Sequence, residues 1–156
     1  MQKEIFLVAD SSDFRQMVRS IFAQFLPEYN IRSFKGAQEL YKYMIFQSDE
    51  NFKGRRPALI MLELHMPMIN GLEVLKMLRK TPSNAVTQWA TIPVIMLSDM
   101  DRPEDVNKCY QAGATSFVIK PLEFEELKHL LIKICNYWLD HNKLAVTSNV
   151  SAARAN

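Results

Sequence analysis

Ala58-Leu59-Ile60-Met61-Leu62-Glu63-Leu64-His65-Met66-Pro67 opens with five apolar residues and turns acidic at Glu63. An unbroken apolar run of this length fits a strand covered on both faces. Three further runs share the design. Ile5-Phe6-Leu7-Val8 leads through Ala9 to Asp10, Val94-Ile95-Met96-Leu97 to Ser98, and Phe117-Val118-Ile119 to Lys120. With a weaker strand between them, these runs make five strands alternating with five helical stretches. Such alternation implies a parallel sheet with helices on both sides. In an open parallel sheet, ligands bind beyond the carboxyl ends of the strands, near the point where strand order reverses. Two acids, a hydroxyl and an amine are therefore expected to gather in one small pocket.

The helical stretches carry apolar residues at three- and four-residue steps. Phe14, Met17, Val18, Ile21, Phe22, Phe25 and Leu26 define the first, which Pro27 stops. Tyr29 to Phe34 is the weaker strand, with Ile31 its best core residue. Ala37, Leu40, Tyr41, Met44 and Ile45 mark the second helix, and the polar stretch 48–57 is a loop. Asn70 with Glu73 reads as a capping box that starts the third helix, carrying Leu72, Leu75 and Leu78. The polar connection 82–91 holds Trp89, which either packs back on the third helix or offers a partner surface. Asp101 with Glu104 again reads as a helix start, Val106, Cys109 and Tyr110 form the apolar face, and Gly113 ends it. Pro121 opens the last helix, with a stripe of Phe124, Leu127, Leu131, Ile134 and Trp138. Residues 1–141 thus read as one domain, and 142–156 as a tail expected to be unstructured.

A chain of 156 residues can bury a real core, and 48% hydrophobic with 23% charged content is ordinary for a soluble protein. A net charge of +2 without a dense basic run argues against a nucleic-acid partner. No apolar stretch reaches membrane-spanning length and no signal peptide precedes the first strand, so a cytoplasmic address is expected. Cys109 and Cys135 fall at apolar helix positions and read as buried free thiols, not as a disulfide or metal pair. The chain has four glycines and no phosphate-cradling motif after its first strand, which argues against a small flavin- or nucleotide-binding enzyme.

Taken in order, Val8-Ala9-Asp10, Met66-Pro67-Met68-Ile69-Asn70-Gly71-Leu72, Leu97-Ser98, Gly113-Ala114 and Phe117-Val118-Ile119-Lys120-Pro121 resemble the receiver domain of two-component response regulators, the CheY-like family. The resemblance covers residues 3 to about 139. It implies a flavodoxin-like (βα)5 three-layer sandwich with a parallel sheet of order 2-1-3-4-5. It also implies a protein that signals and is not an enzyme. In that family an acid pair after the first strand and an Asp ending the third bind Mg²⁺, and that Asp takes the phosphoryl group. Carried over, Asp10 is the second acid of the pair, Ser98 the hydroxyl that bonds the phosphoryl oxygen, and Lys120 the cation. His65 would lend its backbone carbonyl to the metal alongside Asp10 and Glu63, and Phe117 stands at an aromatic switch position on the partner face. Lys120-Pro121 is a cis-peptide candidate.

Two departures stand out. Ala9 replaces the first acid, and Glu63 occupies the phosphoacceptor position. Glu carries its carboxylate one methylene farther out, and in-line transfer loses roughly a hundredfold for a misplacement near ~1 Å. The missing carboxylate at Ala9 weakens attraction for Mg²⁺. Both changes act against phosphorylation and let Glu63 reach Lys120, so that the pair could hold an activated-like state without phosphate. With no output domain expected after the last helix, the chain reads as a stand-alone response regulator that acts through protein contacts, and the resemblance implies the face of helix 4, strand 5 and helix 5 for them. The partner would be a histidine kinase, an output protein or a second copy. A conventional receiver labelled slowly on Glu63, or on Ser98 instead, is the alternative. Read singly, Asp10 and Glu63 are strand-end acids, Ser98 a local turn bonder, Lys120 a surface charge and His65 a loop residue; Asp99 either acidifies the pocket or caps the next helix.

Overall fold

The first three of the apolar runs form the middle of a five-stranded sheet. The protein is described by a computed structural model over residues 2–49, 51–53, 56–82 and 89–144. The elements are β1 (Lys3–Val8), α1 (Ser12–Phe25), β2 (Tyr29–Phe34), α2 (Ala37–Gln47), β3 (Pro57–Glu63), α3 (Gly71–Lys80), β4 (Val94–Ser98), α4 (Pro103–Gln111), β5 (Ser116–Ile119) and α5 (Phe124–Cys135). A π-helical turn, Asn136–His141, continues α5. All strand pairs are parallel, in the order β2-β1-β3-β4-β5. Among the described residues no helix is long and apolar enough to cross a membrane.

Period-two alternation along the strands divides the core in two. Ile5, Leu7, Leu59, Met61, Ile95 and Leu97 pack with α1 and α5. Phe6, Val8, Ile60, Leu62, Val94 and Met96 pack with α2, α3 and α4. Burying each such side chain contributes about 1.5–3 kcal/mol, so both layers hold the sheet flat against its helices. Trp89 is buried in the second layer, with Leu75 and Leu78 of α3, which excludes its indole from an exposed partner surface; residues 83–88 of that connection lie outside the described residues. Cys109 and Cys135 are buried free thiols.

Several expectations are corrected. Ile31 is half-buried, because β2 is an edge strand whose buried residues are Tyr29 and Phe34. Ile45, Phe25 and Tyr110 are exposed: Ala37, Leu40 and Met44 already fill the sheet-facing stripe of α2, Phe25 ends α1, and α4 buries only Cys109. The cap of α4 is Arg102, with no side-chain bond, and not Asp101; Pro103, preset for a first helical turn, fixes the start instead. The last helix begins at Phe124, three residues after Pro121. The Lys120-Pro121 bond is trans, the lower-energy isomer. Asn142, Lys143 and Leu144, assigned to the tail, are described; the remainder, 145–156, lies outside the described residues.

Candidate functional site

The sheet order reverses between β1 and β3, and Asp10 and Glu63 stand at the carboxyl ends of those two strands. Backbone bonds just past the strands set the register of the site. Leu64 N–H donates to Leu97 O at 2.8 Å, and Lys120 N–H donates to Ser98 O at 2.7 Å. Glu63, Ser98 and Lys120 are thereby carried to the same edge of the sheet.

Glu63 is buried, and both of its carboxylate oxygens are engaged. Oε1 accepts from Lys120 Nζ in a short ion pair whose two side chains are only 6% and 9% exposed. Oε2 accepts the backbone N–H of Asp10 at 3.1 Å. The Lys120 ammonium also lies 3.4 Å from Asp99 Oδ1 and 4.9 Å over the Phe14 ring. Asp99 is largely exposed, so it acidifies the mouth of the pocket and does not cap α4. Burial pushes the Glu63 carboxyl above the usual range, with Lys120 pulling the other way. Burial also works against the Lys120 ammonium, but the carboxylates of Glu63 and Asp99 outweigh it and raise its pKa.

The local chain is built around this pair. Asn70 caps α3 by accepting Glu73 N–H at 3.1 Å, as its spacing predicts. Gly71 N–H donates to Leu64 O at 2.7 Å, and a Cβ on Gly71 would stand 2.1 Å from Glu63 O. A side chain fits there only if the main chain shifts, because the obstacle is a backbone carbonyl and not the end of a flexible side chain. Met68, in the same loop, holds φ at +68°, in the left-handed region that costs a branched or bulky side chain about 1–2 kcal/mol.

The other site candidates are placed as follows. Asp10 is exposed; its backbone N–H donates to Glu63 Oε2, and its carboxyl also interacts with the Glu63 carboxyl and helps to raise the pKa of Glu63. The Ser98 hydroxyl is buried and accepts Met100 N–H at 3.2 Å, a local turn bond, and it has no bond to Glu63 or Lys120. His65 is exposed beyond the strand end, and Phe117 is half-buried against the α2–α4 layer. Two contributors have no pattern signal of their own. Phe14 supplies the ring under the ammonium, and the buried Arg15 donates through Nη1 to Ala9 O at 2.6 Å. In the sequence both read only as helix residues; the helix step that places Phe14 on the sheet side is the available clue.

Ala9 offers no carboxylate, both oxygens of Glu63 are occupied, and among the described residues no three His, Cys, Asp or Glu side chains stand close enough to hold a metal ion. What the arrangement provides is a carboxylate neutralised by an ammonium at the switch point of the sheet.

A doubly wound sheet of order 2-1-3-4-5 with an acid and a lysine at its switch point defines the class of CheY-like signalling receivers. The chain belongs to the response regulator receiver domain family, whose family model matches residues 5–132. It is 32% identical over 87 residues to the probable methanogenesis regulatory protein FilR2 of Methanothrix harundinacea, covering 56% of this chain and 53% of that protein. To the chemotaxis protein CheY of Bacillus subtilis it is 26% identical over 136 residues, covering 87% of this chain and all of CheY. The phosphorylated cyanobacterial phytochrome response regulator RcpA shares the fold, with a TM-score of 0.79 at 23% identity over 94% of this chain and 100% of RcpA. The chain spans about half or less of the length of several curated relatives, FilR2 among them and BceR of Halalkalibacterium halodurans at 39%. The family belongs to two-component signalling.

Proposed function

We propose that this receiver transmits its signal through protein contacts and that the Glu63–Lys120 ion pair replaces phosphorylation at its switch site. The observation that carries the reading is that pair itself: Lys120, the cation that would meet a phosphoryl oxygen in the family, already has a carboxylate in contact. Glu63 reaches it because its chain is one methylene longer than Asp. The occupied Oε2 and the empty side chain of Ala9 support a weakened site for Mg²⁺. The buried Ser98 hydroxyl, tied to Met100, favours neither labelling of Ser98 nor a direct bond to phosphate.

The surface for a kinase, an output protein or a second copy is the α4–β5–α5 face. It exposes Tyr110, Ile119 and Leu122, the last at 75%. Isolated exposed apolar residues are common, but three on one face connected to Lys120 through β5 form a docking patch coupled to the ion pair.

Mass analysis after incubation with acetyl phosphate and Mg²⁺ tests the reading. The natural chain should stay unlabelled, while the double variant Ala9→Asp, Glu63→Asp should gain one phosphoryl group, at position 63. Equal labelling of the natural chain would return it to a conventional phosphorelay receiver.

A further inference from the structure

We infer that Phe14 is a positioning residue of the switch site: its ring seats the Lys120 ammonium on the inner side of the pocket, against Glu63. Lys120 has two carboxylates within reach, the buried Glu63 and the largely exposed Asp99 at the mouth. Hydration draws the ammonium toward the mouth, because a charge on a flexible four-carbon stem keeps more of its water beside Asp99. An aromatic face on the inner side compensates for part of the water lost there. Phe14 supplies that face, with its centroid 4.9 Å from Lys120 Nζ.

Among the described residues two more cations lie over rings, Lys128 over Phe25 at 4.7 Å and Arg32 over Tyr43 at 4.5 Å. Phe25 and Arg32 are exposed, so water competes with both contacts. Phe14 and the Lys120 side chain are both buried, and a desolvated cation over a ring is held most strongly. The start of α1 fixes the ring in place. Ser11 Oγ caps the helix by accepting Phe14 N–H at 3.2 Å, and Arg15 N–H donates to Ser11 O at 3.1 Å. Arg15 Nη1 donates to Ala9 O at 2.6 Å, which ties the same turn to the end of β1. Lys120 is thus enclosed from three elements: Glu63 of β3, Asp99 just past β4 and Phe14 of α1. As a core residue alone Phe14 would need only bulk, which Ile, Leu and Val supply elsewhere in its layer; holding a cation needs the negative face of a ring. The part Phe14 plays in switching rests on the reading of the Glu63–Lys120 pair given above, whereas the seat rests on this geometry.

Ring fluorination tests the seat while nearly preserving the packing, because each fluorine withdraws charge from the ring face. The full chain is made with phenylalanine bearing one, two or three ring fluorines at position 14 alone. Access to Lys120 is read as its acetylation by a limiting dose of acetyl N-hydroxysuccinimide ester, measured by peptide mass analysis relative to exposed lysines of the same chain. Acetylation of Lys120 should rise stepwise with the number of fluorines. In Phe14→Leu it should rise about fivefold, the factor that loss of ~1 kcal/mol gives. Phe22, buried on the same helix and in the same layer, is the control, and the same fluorines there should leave Lys120 as it is in the natural chain. A flat response to fluorine at position 14, or an equal response at position 22, would overturn the proposal. Phosphorylation of the natural chain by acetyl phosphate would end the reading of the pair without altering these ratios, so the two fail separately.

Discussion

Glu63 and Lys120 are each readable in the sequence as the polar end of an apolar run, but their contact is not. It depends on a methylene of reach and on a register fixed by the Leu64–Leu97 and Lys120–Ser98 backbone bonds. Ser98 illustrates the opposite case: its position at the strand end is legible, yet its hydroxyl turns to Met100 N–H because a neighbouring donor satisfies it locally. The buried pair makes a sharp energetic prediction. Removing one partner leaves the other charge without compensation, whereas replacing both by apolar groups relieves the desolvation of both. Lys120→Met should therefore cost about 3–5 kcal/mol in urea unfolding, and Glu63→Leu with Lys120→Met clearly less than the two single changes summed. Strict additivity would mean that the pair carries no coupling. A second prediction concerns protons. Burial lifts the Glu63 carboxyl and Lys120 opposes the lift, so its ¹³C resonance should titrate above the ordinary value of about 4.3, and higher still in Lys120→Met. A downward move in that variant would reverse the assigned roles.

At the scale of elements, half of the capping box Asn70–Glu73 forms: Asn70 Oδ1 accepts Glu73 N–H, which needs only local chain geometry, while the exposed Glu73 carboxylate lies 3.6 Å from Lys76 Nζ. The start of α4 does not form as read: Asp101 and Glu104 have the right spacing, but Pro103 presets the first turn two residues later. Half-burial and exposure at Ile31, Ile45 and Tyr110 also escaped the pattern, since periodicity identifies an apolar stripe but not which edge of it reaches the sheet. The least legible element contact is Arg79. From the end of α3 its guanidinium donates to Gly113 O at 2.8 Å, to Ile92 O at 2.7 Å and to Trp89 O at 3.2 Å. It thus ties the approaches to β4 and β5 together, and those strands deliver Ser98 and Lys120. Arg79→Met would leave buried carbonyls unpaired and should cost on the order of 3 kcal/mol, measured by urea unfolding. If the loss is negligible, the carbonyls find water instead. Gly71→Ala should be worse for the site than for the fold, since the added methyl must displace Glu63 O; the expected cost is about 1–3 kcal/mol, accompanied by shifts of the Asp10 and Glu63 amide resonances. Shifts confined to α3 would show that the helix, not the strand, gives way.

Over the whole molecule, the alternation of strands and helices and the two-layer core follow from the apolar runs, and the resemblance supplied the strand order. The register shift between Glu4 and Ile5 and the π turn that continues α5 were not legible, because no periodic pattern announces them. The core itself sets a limit on alkaline stability through Cys135, which closes the α1–α5 layer. Its burial, with Glu28 and Asp140 nearby, pushes the thiol up to about 12, against about 8.5 in an unfolded chain. Between those values the unfolded chain releases the proton and the folded protein keeps it. The folded state then binds more protons, so stability must fall as pH rises through this window, with a limiting slope near 1.4 kcal/mol per pH unit. Cys135→Ala removes a sulfur from the core, which lowers stability at every pH, but it has no proton to lose. Urea unfolding at pH 8.5 and 9.5 should therefore show the natural chain losing about 1 kcal/mol more than the variant between those two points. Cys109 and Tyr29, whose pKa values are also raised, are present in both proteins and cancel in the comparison. Parallel pH profiles would mean that the Cys135 thiol ionises as readily in the folded protein as in the unfolded chain, and that the layer beneath α5 admits water.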